Sequence, residues 1–432
     1  MENITPSISL QKRMDSAKES PLFYRVFALA TAGLVLDASD IYLASATNTV
    51  ITTTKFATIS QSSEFLSAGF LGLFLGSILA GFLGDALGRN KIYAINLFVF
   101  GFFTFMAGFS PNIAILTYLR FGASLGLGAE IVTGFALINE FAPVLHRGRW
   151  AGGASAIGNL GAPLGLLLCT LLISQLGWRS VYFVIGSLAL ILWLVRLHNF
   201  PESPRWLLAK GRQQEAATLI SSMEVNGAYS TEEHQQTGKI VVTSLKRGLF
   251  VGIVAAAVTT IAQYTFTSWV PTLLVKQGVN LSHSLWFSTV MMLGAPIGAV
   301  LGSLLVEQFG RKKTIVIGFL LTAVLGIVYA YQTSSGMAMF IGFLLTVCLY
   351  AMNASILSVY VPELFQTKFR FRGEGLAVGT GKMLTILMPF AVVWILTELS
   401  STFIFYGMAT ITILGALIVG IFGPETKQHP VE

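Results

Sequence analysis

The sequence predicts an all-α membrane protein with twelve transmembrane helices, arranged as two similar bundles of six. The first observation behind this prediction is composition: 54% of the 432 residues are hydrophobic, 11% are charged, and the mean hydropathy is +0.73. Charged residues make up about a quarter of a typical soluble domain, so this chain carries more apolar surface than such a domain can bury. The other two observations are a series of long apolar runs and an internal repeat.

The apolar runs are long enough for helices that cross a bilayer, which requires about 20 apolar residues each. They lack the alternation of polar and apolar residues that is typical of transmembrane barrel strands. Twelve spans are predicted, at 24–50, 64–84, 91–109, 112–139, 150–175, 179–199, 248–273, 284–306, 313–332, 336–361, 374–397 and 400–422. The corresponding domains are a cytoplasmic tail at 1–21, a six-helix bundle at 22–200, a cytoplasmic linker at 201–247, a second bundle at 248–422 and a cytoplasmic tail at 423–432.

The distribution of Lys and Arg predicts the orientation of these helices, because basic residues concentrate in cytoplasmic loops. With both termini in the cytoplasm, most of the 27 Lys and Arg residues fall on the cytoplasmic side, and the opposite loops hold Lys55, Arg179 and Lys276. The net charge of +7 is therefore explained by topology and indicates no nucleic-acid partner. Residues 1–21 have no apolar core, which predicts a tail and not a signal peptide.

Acidic, glycine and arginine residues recur in the two halves at an offset of 222 or 223 positions. The corresponding residues are Asp85 and Glu307, Gly88 and Gly310, Arg89 and Arg311, Glu140 and Glu363, and Glu202 and Glu425. Independent matches at one offset predict a duplicated six-helix unit.

These motifs, together with the strings that begin at Pro201, Pro362 and Pro424, resemble those of the major facilitator superfamily, in its branch of sugar porters and related metabolite transporters. The resemblance covers nearly the whole chain and implies the major facilitator fold with transport by alternating access. It also implies a cytoplasmic gate of paired charges, formed by Asp85, Arg89, Glu140, Arg149, Glu202, Arg205, Glu307, Arg311, Glu363 and Arg372. The alternative is that these residues only anchor helix ends.

Ionisable residues inside the predicted spans require a reason, because each costs at least about 2.5–3.5 kcal/mol at the centre of a membrane helix. They are Asp37, Asp40, Arg120, Glu130 and Lys382. The resemblance implies that ionised Asp40 pairs with Arg120 and that protonation breaks this pair. Asp37 shares a helix face with Asp40, since they are three residues apart, and Glu130 is predicted to be a second proton or cavity group. A static ion pair is the alternative.

The candidate solute site departs from that of the sugar porters, whose glutamine and tryptophan positions are largely changed here. The residues predicted to bind the solute are Asn159, Gln263, Tyr264, Trp269, Tyr350, Asn353 and Lys382. Polar groups with nearby cations suit a small carboxylate better than a neutral sugar. Packing inside the bundle is the alternative for the aromatic residues, and neutralisation of a nearby acid is the alternative for Lys382.

The functional prediction is a secondary active transporter, by proton-coupled symport of a small organic acid or related metabolite. The alternatives are a sugar or polyol symporter or facilitator, and a non-transporting membrane sensor. No enzyme activity, cofactor or metal site is predicted, because the sequence lacks a nucleophile elbow, a metal-ligand cluster and a P-loop. The expected partners are the solute, protons and the lipid bilayer. The expected form is a monomer in the cell membrane, which is the inner membrane in a bacterium.

Overall fold

The computed structural model describes residues 6–143, 146–227, 244–365 and 367–426, with only the backbone for a few helical residues in these ranges. Within these ranges twelve helices are long and apolar enough to span a membrane, which confirms the predicted number. They are α1 (Pro21–Thr53), α2 (Ile59–Leu87), α3 (Arg89–Ala107), α4 (Ile113–Phe141), α5 (Arg147–Asn159 and Gly161–Leu176), α6 (Trp178–Asn199), α7 (Leu245–Lys276), α8 (Leu281–Met292 and Gly294–Phe309), α9 (Arg311–Ala330), α10 (Ser335–Glu363), α11 (Thr367–Thr385 and Met388–Glu398) and α12 (Thr402–Phe422).

Local sequence signals account for several helix starts. The Ser20 hydroxyl accepts a hydrogen bond from the Phe23 N–H at the start of α1. Thr58 and Gln61 form a reciprocal capping box at the start of α2, and Asn112 caps α4. Such caps satisfy the N–H groups that a first helical turn leaves without partners.

Three helices are interrupted near their middle, each four residues before a proline. Their first segments end at Asn159, Met292 and Thr385, and the prolines are Pro163, Pro296 and Pro389. A proline has no N–H and its ring clashes with the carbonyl four residues earlier, so the hydrogen-bond ladder stops there. The predicted spans placed the corresponding helices correctly but contained no interruption.

Helices α1–α6 form one six-helix bundle and α7–α12 form the other, which confirms the predicted architecture. The two halves meet where α1 packs on α7, α2 on α11 and α5 on α8. Within each half, glycines permit close packing of the helix backbones. A methyl group at Gly161 of α5 would lie 2.2 Å from the Val35 carbonyl oxygen of α1, and one at Gly298 of α8 would lie 2.3 Å from that of Val347 in α10. Small residues of this kind are typical of helix contacts in membranes.

Both described chain ends lie on one face of the bundle, which we call the terminal face, and the opposite face is the distal face. Toward the distal face, Ser45 Oγ donates to the carbonyl of Ser268 at 2.8 Å, and the Thr49 and Thr272 hydroxyls are 2.8 Å apart. These bonds join α1 to α7. They form a hydrogen-bonded seam between the halves on the distal side.

The predicted tail and linker contain additional helices on the terminal face. Helix Pro6–Ser16 packs on the linker helix Gln213–Met223. Arg13 pairs with Glu224 at 2.5 Å, which fixes the tail to the linker. Residues 228–243 of the predicted linker and 427–432 of the predicted C-terminal tail lie outside the described residues.

Candidate functional site

One side of α1 faces a cluster of buried charges in the N-terminal half. Gly33, Asp37 and Asp40 are spaced four and three residues apart, which places them on one helix face. Asp37 is 1% exposed and Asp40 is completely buried. The sequence-predicted pair of acids therefore lies inside the bundle and does not face lipid.

Asp40 forms a buried ion pair with Arg120 of α4, in which Arg120 Nη1 donates to Asp40 Oδ2. The other carboxylate oxygen of Asp40 and Nε of Arg120 have no hydrogen-bond partner among the described residues. The structure thus brings together the two residues that the sequence paired. The same pair accounts for one negative and one positive charge of the cluster.

Glu130 of α4 forms a second buried ion pair, and its partner is Arg196 of α6 at 2.5 Å. Arg196 also donates to the Leu29 carbonyl of α1 at 2.7 Å, and its guanidinium lies 4.0 Å from the centre of the Tyr93 ring of α3. One side chain of α6 thus contacts three other helices of the N-terminal half. The sequence analysis did not name Arg196 among the ionisable residues inside the spans and so missed this role.

Gly33 shows how tightly this second pair is enclosed. A methyl group added at Gly33 would lie 2.1 Å from Arg196 Nη2 and 2.5 Å from Glu130 Oε1. The helix face of α1 therefore needs a residue without a side chain at this position. Any larger residue would displace the ion pair or the helix.

Asp37 lies between the two ion pairs, within electrostatic range of Glu130, Arg196 and Asp40. Neither of its carboxylate oxygens has a hydrogen-bond partner among the described residues. The cluster therefore contains three carboxylates and two guanidinium groups, an excess of one acid. The sequence analysis named the three acids and Arg120 of this cluster, and it did not name Arg196.

A second, uncharged set of polar side chains lies where α7 and α10 face the N-terminal half. Asn353 Nδ2 donates to Gln263 Oε1 at 2.6 Å, and the Tyr350 hydroxyl bonds to the hydroxyl of Tyr42 in α1. The Tyr264 ring lies 4.9 Å from the Phe70 ring of α2. Four sequence-predicted solute residues thus lie along the interface between the halves, and three of them contact each other or the opposite half through polar groups.

The remaining predicted solute residues are more dispersed. Lys382 of α11 donates to the Ser77 hydroxyl of α2 at 3.1 Å, across the interface between the halves. Asn159 is half-buried at the interruption of α5. Trp269 is completely buried in the apolar core, and its indole N–H has no partner among the described residues.

Comparison with known proteins identifies the family. A family model described as "sugar (and other) transporter" matches residues 26–432. The chain belongs to this transporter family. The inner membrane metabolite transport protein YdjE of Escherichia coli is 30% identical, and the match covers 97% of each chain. The niacin transporter NiaP of Acinetobacter baylyi is 27% identical over 98% of this chain and 99% of the relative.

The solved structures agree with the fold of this transporter. The crystal structure of a D-xylose-proton symporter superposes with a TM-score of 0.75 over 94% of this chain and 99% of that one, at 19% sequence identity. At this identity the likeness shows the major facilitator fold. The family assignment shows that the chain is a multi-pass membrane transporter and not an enzyme.

The repeated motifs of the transporter form matching charge clusters on the terminal face. In the N-terminal half, Glu202 accepts from the N–H of Asn90 at 3.1 Å. In the C-terminal half, Glu425 accepts from the N–H groups of Arg311 and Lys312 at 2.8 and 3.1 Å. A carboxylate at a helix start is stabilised by the N–H groups and by the helix dipole. Each cluster therefore fixes the start of the third helix of its half.

The arginines of these clusters pair with the predicted acids of the same half. Arg311 makes two hydrogen bonds to Glu363, at 2.7 and 2.9 Å, whereas Arg89 Nε lies 3.6 Å from Glu140. Each pair joins the third helix of a half to its fourth helix, in this case α9 to α10 and α3 to α4. In this conformation the described pairs hold each half together, and they do not cross between halves.

The other predicted gating residues differ in their surroundings. Arg205 donates to Asp15 of the N-terminal helix at 2.7 Å, which adds the tail to the cluster of the first half. Arg149 and Glu307 are exposed on the terminal face. The side chains of Asp85 and Arg372 lie outside the described part of the structure.

Proposed function

We propose that this transporter is a proton-coupled symporter of small monocarboxylic acids. The observation that carries the proposal is the excess of one buried carboxylate over the two arginines of the N-terminal cluster. A buried carboxylate that is ionised and unpaired is strongly unfavourable, so such a group tends to bind a proton. A site that gains and loses one proton inside the membrane is what coupling to a proton gradient requires.

Asp37 is our candidate for the group that carries the proton in this conformation. Asp40 and Glu130 each accept from an arginine, whereas the oxygens of Asp37 have no hydrogen-bond partner among the described residues. Because the three acids interact, the proton belongs to the cluster, and its position can shift when a pair separates. The hypothesis that protonation breaks the Asp40 and Arg120 pair then becomes a later step, in which the proton shifts to Asp40 and its pair with Arg120 separates.

The solute site is proposed to be the polar set between the halves, with Lys382 as the counter-charge for a carboxylate. Gln263 and Asn353 offer an amide pair, and the Tyr264 and Phe70 rings offer an aromatic surface. Such a combination fits a flat acid with one carboxylate. The names of three relatives, a niacin transporter, a benzoate transport protein and a 4-hydroxybenzoate transporter, support this class of solute.

We further propose that residues 22–200 and 248–422 move as two units in alternating access, with both termini and the linker in the cytoplasm. The asymmetry of Lys and Arg supports this orientation. The motifs on the terminal face would then stiffen each unit, because they tie helices within a half. Asn159 and Trp269 are included as solute contacts on sequence grounds alone.

The test is uptake into proteoliposomes with an imposed inward proton gradient. Radiolabelled nicotinate, benzoate and D-xylose are compared, with a protonophore added in parallel samples. We expect accumulation of an acid above its external concentration, lost on addition of the protonophore. Empty liposomes are the essential control, because weak acids cross bilayers in their neutral form. Accumulation of D-xylose in place of the acids would favour the sugar alternative, and equilibration without accumulation would favour a facilitator.

A further inference from the structure

The distal face carries an open cleft that none of the proposed transport steps uses. Its volume is about 580 Å³. It is lined by the end of α1, the turn into α2 and the end of α7, including Thr53, Lys55, Phe56, Thr272 and Lys276. Thr272 also belongs to the hydrogen-bonded seam on the distal side, because its hydroxyl contacts Thr49. The cleft therefore lies directly outside the seam between α1 and α7.

Basic residues converge on this cleft although they are rare on the distal side. The distal loops and helix ends hold Lys55, Arg179 and Lys276. Two of these line the cleft, and the guanidinium of the third lies 5.4 Å from the centre of the Phe56 ring, which also lines it. Since basic residues are disfavoured on the side opposite the cytoplasm, their collection at one place needs a separate reason.

None of the described residues that line the cleft is acidic, and Lys276 Nζ donates to the Leu396 carbonyl of α11 at 3.4 Å. Glu64 and Glu398, the acids near the distal helix ends, are not among its lining residues. Hydroxyl and amide groups of Thr52, Thr58 and Gln61 complete the polar wall. A concave surface with charge of one sign concentrates the field and raises the local concentration of oppositely charged solutes.

The backbone at Lys55 supports a specific role for this side chain. Its φ is +58°, and it is the one non-glycine residue with positive φ among the described residues. Glycine, asparagine and aspartate adopt this left-handed conformation at lower cost than lysine. The turn therefore holds a lysine where glycine or asparagine would be less costly for the backbone, and this lysine lines the cleft.

We propose that this cleft is an anion-collecting site, where a small carboxylate binds before the seam between α1 and α7 opens. The inference rests on the proposed function for the identity of the solute, but the site itself follows from its charges. Lys55 and Lys276 hold the carboxylate by charge, and the threonine and glutamine groups offer hydrogen bonds. The cleft would raise the capture rate from the distal side without contributing to the proton step.

The experiment measures the electrostatic potential in the cleft and does not require transport. Thr53→Cys places a thiol in the cleft, and the two native cysteines, Cys169 and Cys348, are buried and give little background. The modification rates with anionic and cationic methanethiosulfonate reagents are compared at low ionic strength. Ser334→Cys, on an exposed distal turn remote in sequence from these basic residues, is the matched control.

We expect the ratio of anionic to cationic modification rates to be higher at Thr53→Cys than at Ser334→Cys. Lys55→Asn and Lys276→Gln should each lower the ratio by about fourfold, since a unit charge about 8 Å away in water changes both rates by about twofold in opposite directions. Asparagine is chosen at position 55 because it tolerates the left-handed backbone. High salt should remove the difference. Equal ratios at the two cysteines, or ratios that neither lysine substitution changes, would refute the proposed anion site.

Ligand identity is tested by protection in liposomes of neutral phosphatidylcholine. Millimolar benzoate should slow anionic modification of Thr53→Cys, and the protection should be lost in Lys55→Asn. Protection by anionic lipid and none by benzoate would assign the cleft to a lipid headgroup and refute the carboxylate proposal. If benzoate protects the thiol but is not transported, the anion site is supported and the proposed solute is wrong. If benzoate is transported with an unchanged KM in both lysine variants, the role in capture fails.

Discussion

The two halves of the transporter are alike on the terminal face and different at the centre of the membrane. On the terminal face, Glu202 and Glu425 accept from the N–H groups at the start of α3 and α9, respectively. At the centre, the N-terminal half buries five charged side chains, whereas the facing helices of the C-terminal half, α7 and α10, carry neutral polar groups. The two copies of the repeat therefore share the charged residues on the terminal face and differ in the residues buried at the centre of the membrane.

The repeat offset of 223 shows what replaced each charge. Asp40 corresponds to Gln263 and Glu130 to Asn353, the amide pair that bonds at 2.6 Å. Asp37 corresponds to Thr260, Arg120 to Phe343 and Arg196 to Val419. Each acid has a neutral polar counterpart, and each arginine has an apolar one. This contrast supports the proposal that the N-terminal half binds the proton and the C-terminal half contributes most of the solute contacts.

The largest effect is expected when one charged residue of the N-terminal cluster is replaced by the residue at the corresponding position of the C-terminal half. Arg196→Val removes the partner of Glu130 and should destabilise the protein by about 3–5 kcal/mol, because a buried charge is left uncompensated. Thermal stability in detergent measures this. The double variant Arg196→Val with Glu130→Asn reproduces the C-terminal pattern and should recover most of the loss. Equal stability of single and double variants would show that the pair does not interact.

The next largest effects are expected from variants that distinguish the two acids of α1, Asp37 and Asp40. Asp37→Asn should abolish proton-driven accumulation while solute counterflow continues, because asparagine resembles the protonated acid but does not cycle. Asp40→Asn should have the same effect on accumulation and should also lower stability, since Arg120 is left without its partner. Asp37→Asn should leave stability unchanged or raise it. Normal accumulation in Asp37→Asn would remove this residue from coupling and return the role to Asp40 or Glu130.

A smaller effect should distinguish the terminal-face clusters. Arg311→Gln removes two hydrogen bonds to Glu363 and should slow exchange between conformations by about tenfold, since charged hydrogen bonds contribute about 1.5–3 kcal/mol. Arg89→Gln removes a single longer contact with Glu140 and should slow exchange by about threefold. The initial uptake rate is compared with the solute Kd, which should not change. An altered Kd with a normal rate would contradict a role in conformational exchange.

The sequence predicted the twelve helices and the duplication, because these depend on long apolar runs and on motif spacing. The Asp40 and Arg120 pair was implied by the family resemblance. The pairing of Arg196 was missed because the residue lies near the end of a span, where an arginine can also extend to the membrane surface. Its position within an apolar run, two residues before His198, was the signal that Arg196 could be buried. The sequence analysis named Lys382 and not Arg196 among the ionisable residues inside the spans, because linear sequence does not tell which helices face each other.

The smallest effect, and the one that tests the solute side of the comparison, is expected from the amide pair. Gln263→Ala and Asn353→Ala should each raise KM by about two- to tenfold, because a net hydrogen bond contributes about 0.5–1.5 kcal/mol. The proton dependence of uptake should not change, since neither residue contacts the charged cluster through any described bond. If the two amides act as one unit, the double variant should be no worse than either single variant, which a double-mutant cycle on KM measures. A change in accumulation ratio with a normal KM would place the amides in coupling and break the division between halves.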